Sequence, residues 1–187
     1  MKRVFIAIDI KISIELEELI RSYKTRLADE KIRWVSPGNI HLTLAFLGDL
    51  DKVQIGQTAS LLEEVVAEYP KFPVGFGETG VFRSINHPRV IWLGVKTPDV
   101  LYEMRESVCN KLRQEYLYRD EKKFSPHITL GRMKYIINRD MFSGILNSGS
   151  NINIPEQLIS EIILFESILK PEGPVYVPVV KALLKES

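Results

Sequence analysis

Two stretches of this chain, WVSPGNIHLTLAFLG at residues 34–48 and FSPHITLGR at 124–132, share a pattern that few folds can satisfy. In each, a Ser-Pro pair precedes a histidine that opens an alternating run: His41-Leu42-Thr43-Leu44 in the first, His127-Ile128-Thr129-Leu130 in the second. Side chains alternate faces along a β-strand. His41 and Thr43 therefore share one face, with Leu42, Leu44 and Phe46 on the other, and His127 and Thr129 oppose Ile128 and Leu130 in the same way. The apolar faces belong to a core, so each His-Thr pair looks out of one. The histidines lie 86 residues apart (127 − 41), close to half of a 187-residue chain. That spacing predicts two similar lobes about a pseudo-twofold axis, with the polar faces meeting across a central cleft.

The rest of the chain reads as an α+β domain of mostly antiparallel sheet with flanking helices, one domain over residues 1–187 with one His-x-Thr motif per lobe. Val4 to Ile10 is a short, β-branched, apolar segment and predicts a buried strand. Ser13 offers an N-cap to a helix whose Leu16, Leu19, Ile20, Tyr23 and Leu27 recur at helical spacing. Asp51 followed by Gln54 resembles a capping box opening a second helix, with Leu61, Leu62, Val65, Val66 and Tyr69 expected inward. FPVGFGETGVF and PRVIWLGVK read as strands, and Leu101, Met104, Val108 and Leu112 mark a third helix. Residues 143–155, SGILNSGSNINIP, are rich in Ser, Gly and Asn and predict a loop or flap. The tail predicts two strands around the Pro-Glu-Gly-Pro turn at residues 171–174.

A cleft with two imidazoles and two hydroxyls suits one kind of chemistry. Imidazole, with an ordinary pKa of about 6.5, serves as acid or base at neutral pH. One neutral histidine takes a proton from water while a protonated one gives a proton to a leaving oxygen, each transfer being worth about 10²- to 10⁴-fold in rate. The threonine hydroxyls donate hydrogen bonds to oxygens that gain charge. A phosphodiester, with two bridging and two non-bridging oxygens, matches this set in number and symmetry. The scheme needs no metal and no cofactor. A zinc site would need a third ligand beside the two distant histidines, and no cysteine cluster or His-Glu-x-x-His motif supplies one.

Other residues read more plainly. His87, in SINHPRV, is expected on a surface loop. Arg132 follows the second motif, but ideal alternation puts it on the face of Leu130, away from Thr129, unless a bulge or strong twist intervenes. Trp34, Phe46, Trp92, Phe124 and Tyr135 are candidates for stacking on bases, with core packing the competing role. Arg119, Lys122 and Lys123 form either an RNA-facing rim or a solvated loop. A net charge of +1 gives no global basic field, so a nucleic-acid partner has to be held locally, at an end or short segment. The single cysteine, Cys109, and an N-terminal run interrupted by Asp9 predict a cytoplasmic protein. No apolar run is long enough for a membrane span, and no obligate protein partner is evident.

Paired His-x-Thr strands, together with RVFIAIDI, NIHLTLAFLGD, PRVIWLGV, FSPHITLGR and LFESILKPEGPVY, resemble the two-histidine (2H) phosphoesterases. The resemblance is to the RNA 2′,3′-cyclic phosphodiesterase branch, also called 2′-5′ RNA ligases, and it covers nearly the whole chain. It implies a two-lobed α+β fold and metal-independent hydrolysis of a terminal 2′,3′-cyclic phosphate to a 2′-phosphate. By motif position it implies His41 as proton donor to the leaving 3′ oxygen, His127 as the acceptor that activates water, and Thr43 and Thr129 as phosphate ligands. RNA ends or small cyclic nucleotides are the expected substrates. The same site also suits 2′-5′ joining or cleavage, and the competing reading of another class is a module that binds RNA ends without turnover.

Overall fold

The computed structural model describes residues 1–82, 88–119, 123–147 and 153–186. His87, Lys122 and residues 148–152 of the predicted flap lie outside them. The chain runs β1 (Lys2–Asp9), α1 (Ile14–Arg26), β2 (Ile32–Trp34), a 3₁₀ turn (Pro37–Asn39), β3 (His41–Leu50), α2 (Lys52–Val66), β4 (Phe72–Phe82), β5 (Val90–Lys96). It continues with α3 (Asp99–Gln114), β6 (His127–Met133), α4 (Arg139–Asn147), β7 (Gln157–Ile159), β8 (Glu161–Lys170) and β9 (Gly173–Leu183).

The helices form where the sequence caps them. Ser13 accepts the Leu16 N–H at 3.2 Å, and acidic Glu15 and Glu17 sit in the first turn of α1 with Lys24 and Arg26 in the last, which suits the helix dipole. Asp51 and Gln54 make the reciprocal capping box of α2. One face of each helix is apolar, and Leu16, Leu62, Leu101, Met104 and Leu112 are fully buried. Burying each such side chain stabilises the fold by about 1.5–3 kcal/mol.

The strands form one curled sheet of nine, in the order β7-β4-β5-β6-β3-β1-β8-β9, with β2 alongside β6. Every strand pairing in it is antiparallel. The two histidine strands are therefore neighbours at the centre, flanked by β5-β4-β7 on one side and β1-β8-β9 on the other. They touch at a single register position, Leu42↔Ile128. Beyond it they part, and β2 takes the vacated edge of β6, pairing Ile32↔Met133, Arg33↔Arg132 and Trp34↔Gly131. This fork opens the cleft.

All four helices pack on one face of the sheet, in a core that includes Val4, Ile6, Ile8, Leu42, Leu44, Ile91, Leu93, Ile128 and Leu130. A smaller apolar cluster, Phe5, Ala7, Ile163 and Phe165 with Tyr176 against it, lies on the opposite face. β1 is thus buried on both sides, which is why its sequence is a continuous apolar run with no alternation.

Two expectations need correction. Residues 143–147 are not loop but the second half of α4. Asn138 caps it, accepting the Met141 N–H at 3.0 Å, and the buried Glu30 carboxylate accepts the N–H groups of Ile137 and Asn138 at 2.7 and 2.8 Å. Burial of Phe142, Ile145 and Leu146 overrides the weak helix propensity of Ser143 and Gly144. Phe46, assigned to the core face of β3, is 59% exposed. The cause is a bulge described below.

Candidate active site

Each motif fixes its imidazole in the same way. His41 Nδ1 is 2.7 Å from the Asn39 carbonyl, and His127 Nδ1 is 2.6 Å from the Ser125 carbonyl, each two residues upstream. A carbonyl oxygen only accepts, so Nδ1 carries the proton in both rings and the neutral form leaves its lone pair on Nε2. Pro126 restricts Ser125 to extended backbone, which aims its carbonyl at the ring. In the first motif the turn Pro37–Asn39 does this work.

The rings are also held by aromatic neighbours. His41 lies 5.0 Å from Phe5 and meets the Tyr176 ring edge-on at 5.1 Å, while His127 meets Phe82 edge-on at 4.5 Å. Burial holds both imidazoles below their ordinary pKa, because it disfavours the charged form. The anchoring carbonyls pull the other way, and the Arg132 guanidinium pushes both down further. On His41 the Asp9 carboxylate favours the proton and His127 opposes it.

Strand irregularities place the remaining groups. Between β5 and β6 the pairing runs Trp92↔Thr129 and then Ile91↔Gly131, so Leu130 is an extra residue. That β-bulge restores Arg132 to the side of Thr129. Arg132 and Thr129 line the same two recesses. β3 repeats the device: Ala7 pairs with Thr43 and Ile6 with Ala45, leaving Leu44 extra. Phe46 is thereby the counterpart of Arg132, and it too turns outward. Ideal alternation misplaces both residues for one reason, and Gly131, a glycine inside a strand pattern, is the signal for a bulge that was open to a sequence reader.

Two recesses that share His41, Thr129 and Arg132 meet in the cleft. One, of about 370 Å³, is lined by His41, Thr43, His127 and Thr129, with Arg132 and Phe46 at its wall. All four sequence-predicted site residues meet there. The other, of about 430 Å³, shares His41, Thr129 and Arg132 and extends to Trp34, Lys170 and Tyr176. Among the described residues no group of three or more His, Cys, Asp or Glu is placed to hold a metal ion. Of the proposed stackers, Tyr135 is 51% exposed but lines neither recess. Phe124 lines the first recess and lies under Arg105, 4.4 Å from its guanidinium carbon.

A curled antiparallel sheet that brings two His-x-Thr strands to one cleft defines a two-histidine phosphoesterase. The profile of the family described as LigT like Phosphoesterase matches residues 6–92 and again 93–176, one motif in each match, and the chain belongs to that family. It is 30% identical over 183 residues to the RNA 2′,3′-cyclic phosphodiesterase of Methanothermobacter thermautotrophicus, covering 93% of this chain and 94% of that one. It is 35% identical over 178 residues to the protein of the same name from Thermotoga maritima, covering 93% and 91%. Among solved structures, E. coli LigT complexed with 3′-AMP superposes with a TM-score of 0.74 at 25% identity over 98% of each chain. TT0787 of Thermus thermophilus shares the fold, with a TM-score of 0.76 at 23% identity over 98% of each.

Proposed function

We propose that this chain hydrolyses the 2′,3′-cyclic phosphodiester at an RNA end to a 2′-phosphomonoester, with His41 and His127 as the acid–base pair. The observation that carries the reading is the matched anchoring of both imidazoles. Each donates Nδ1–H to a backbone carbonyl, and both line one recess with Thr43 and Thr129. Relatives named RNA 2′,3′-cyclic phosphodiesterase over more than nine-tenths of the chain support the substrate class. E. coli LigT, which shares this fold, has been solved in complex with 3′-AMP, and this supports a nucleotide as the kind of ligand.

In this scheme His127 Nε2 takes a proton from water as the oxygen attacks phosphorus. The P–O3′ bond breaks, and His41 gives its Nε2 proton to the departing 3′ oxygen. The products are a 2′-phosphate and a free 3′-hydroxyl, and exchange with solvent restores the two rings. The Thr43 and Thr129 hydroxyls and the Arg132 guanidinium hydrogen-bond the non-bridging oxygens, whose charge grows in the transition state. No step uses a metal. A bound phosphate anion also raises the imidazole pKa values that burial lowers, so substrate binding itself favours the protonated acid.

We take the whole chain as one domain of two lobes, each supplying one histidine. No described helix is long and apolar enough to cross a membrane, and the buried, unpaired Cys109 thiol supports a reducing cytoplasm as its place of work. The test is a short RNA ending in a 2′,3′-cyclic phosphate, incubated with EDTA and followed by phosphorus NMR. A 2′-phosphomonoester is expected. A 3′-phosphate, or no turnover at any pH from 5 to 8, would overturn the reading.

A further inference from the structure

The second recess of the cleft carries more positive charge than the hydrolysis of one cyclic phosphate uses: beside Arg132 it holds two further cations, Arg33 and Lys170. Arg33 on β2 pairs directly with Arg132 on β6, and both line this recess together with Lys170 at the end of β8. Opposed residues in an antiparallel pair have Cβ atoms about 4.5–5.5 Å apart, and like charges so placed repel. The chain has 24 acidic residues for 25 basic ones, and Lys2, Lys71, Lys111, Arg113 and Lys181 all hold carboxylates. Arg33, Arg132 and Lys170 are in no ion pair among the described residues. Among the described residues that line the recess, Glu172 is the only carboxylate. Three unneutralised cations, two of them held face to face by strand register, make an anion site.

Its position says which anion. The recess includes His41, Thr129 and Arg132, around which the proposed mechanism sets the reacting phosphate, and its lining also takes in Trp34, Tyr176, Arg33 and Lys170. An RNA end has its next phosphate one nucleotide upstream, with a ribose and base between. We infer that Arg33, Arg132 and Lys170 form a second phosphate subsite that holds this upstream phosphate, so that the preferred substrate is an RNA strand and not a cyclic mononucleoside. Arg132, with five N–H donors in a fork, bridges the two phosphates. The inference rests on the cyclic-phosphate hydrolysis proposed above. The far wall is braced against the catalytic ring: the Asn39 side-chain amide donates to the Pro174 carbonyl at 2.7 Å, while the Asn39 carbonyl holds His41. Strand binding at the β8–β9 hairpin is thus tied to the placement of His41.

The test compares kcat/KM for three substrates: a nucleoside 2′,3′-cyclic phosphate with a 5′-hydroxyl, the same compound with a 5′-phosphate, and a dinucleotide ending in the cyclic phosphate. The 5′-phosphate is expected to raise kcat/KM by about 10- to 100-fold at low salt, the scale of charge-assisted hydrogen bonds. The advantage shrinks as salt rises. In Arg33→Gln/Lys170→Gln the ratio between the two mononucleotides falls to within about threefold of one, and Lys170→Gln alone, at an exposed hairpin position, gives an intermediate ratio. A wild-type ratio near one, or a ratio untouched by the substitutions, overturns the subsite. So does an advantage seen only with the dinucleotide, which would assign the gain to base stacking. If wild type leaves the 5′-hydroxyl compound and the dinucleotide both intact, the hydrolase reading itself fails, and the subsite with it.

Discussion

Gly131 lets β2 pack closely against β6 at the cleft wall, and its replacement by alanine has a calculable effect. A Cβ at this position would lie 2.7 Å from Ile32 Cγ2 and 3.2 Å from Trp34 Cε3, where ordinary contact begins at 3.4 Å. Ile32 is β-branched and stiff at χ1, and it sits on a strand whose backbone is bonded to β6. The strain therefore has to be met by moving β2. Overpacking of this kind costs about 1–3 kcal/mol. With a urea slope near 2 kcal/mol/M, the unfolding midpoint of Gly131→Ala should fall by roughly 0.5–1.5 M. Because Arg132 and Trp34 ride on the two displaced strands, kcat/KM should fall too. Ala45 supplies an internal control. It occupies the equivalent place after the bulge of β3, where no described strand packs as β2 does on β6, and Ala45→Gly should destabilise by about 0.5–1 kcal/mol through backbone entropy. Ile32→Ala should partly rescue Gly131→Ala, giving a coupling of about 1–2 kcal/mol in a double-mutant cycle. A Gly131→Ala protein with an unchanged or higher urea midpoint would refute the reasoning.

Two further outcomes follow from the same geometry. Both histidines have pKa values below the ordinary 6.5. The acid limb of kcat/KM, set by deprotonation of the base, and the alkaline limb, set by loss of the proton from the acid, therefore both lie on the acid side of that value in the free enzyme. The kcat/KM optimum should fall below about pH 6.5, with the kcat optimum displaced upward by the bound phosphate; a flat profile, or a kcat/KM optimum above pH 7.5, contradicts this. Glu30→Ala leaves the N–H groups of Ile137 and Asn138 without their buried acceptor, so thermal or urea unfolding should show a loss of about 2–4 kcal/mol, and a loss under 1 kcal/mol would sink the capping role.

Local patterning disclosed the elements whose signals are short-range. The α1 and α2 caps, the buried β1 and the β8–β9 hairpin all follow from residues within a few positions of one another. So do the outward faces of the four candidate site residues, because a strand of polar–apolar alternation fixes faces without reference to the rest of the chain. What failed was long-range or depended on a count. Leu44 and Leu130 each add one residue to a strand, and the residues just after them change face; that step turns Phe46 outward against simple alternation, and it supplies the bulge on which the side of Arg132 depends. The α4 helix was missed because its Ser-Gly pair argues for a loop, while Phe142, Ile145 and Leu146, which decide for helix, do so only once there is a sheet to bury them against. The Arg33–Arg132 pairing depends on β2 adding to β6, about 100 residues later, and no local signal in a three-residue strand announces it.

The central claim is that His41 and His127 act as one acid–base unit across the cleft. Its most direct test is a cycle of single-turnover rates on a cyclic-phosphate RNA end with His41→Ala, His127→Ala and the double variant. Each single substitution should lower the rate by about 10²- to 10⁴-fold. The double should be scarcely slower than the worse single, because residues that act as a unit are not additive. If either single variant keeps near wild-type turnover, or if the two losses multiply in the double, the histidines do not share the chemistry in the way the structure suggests.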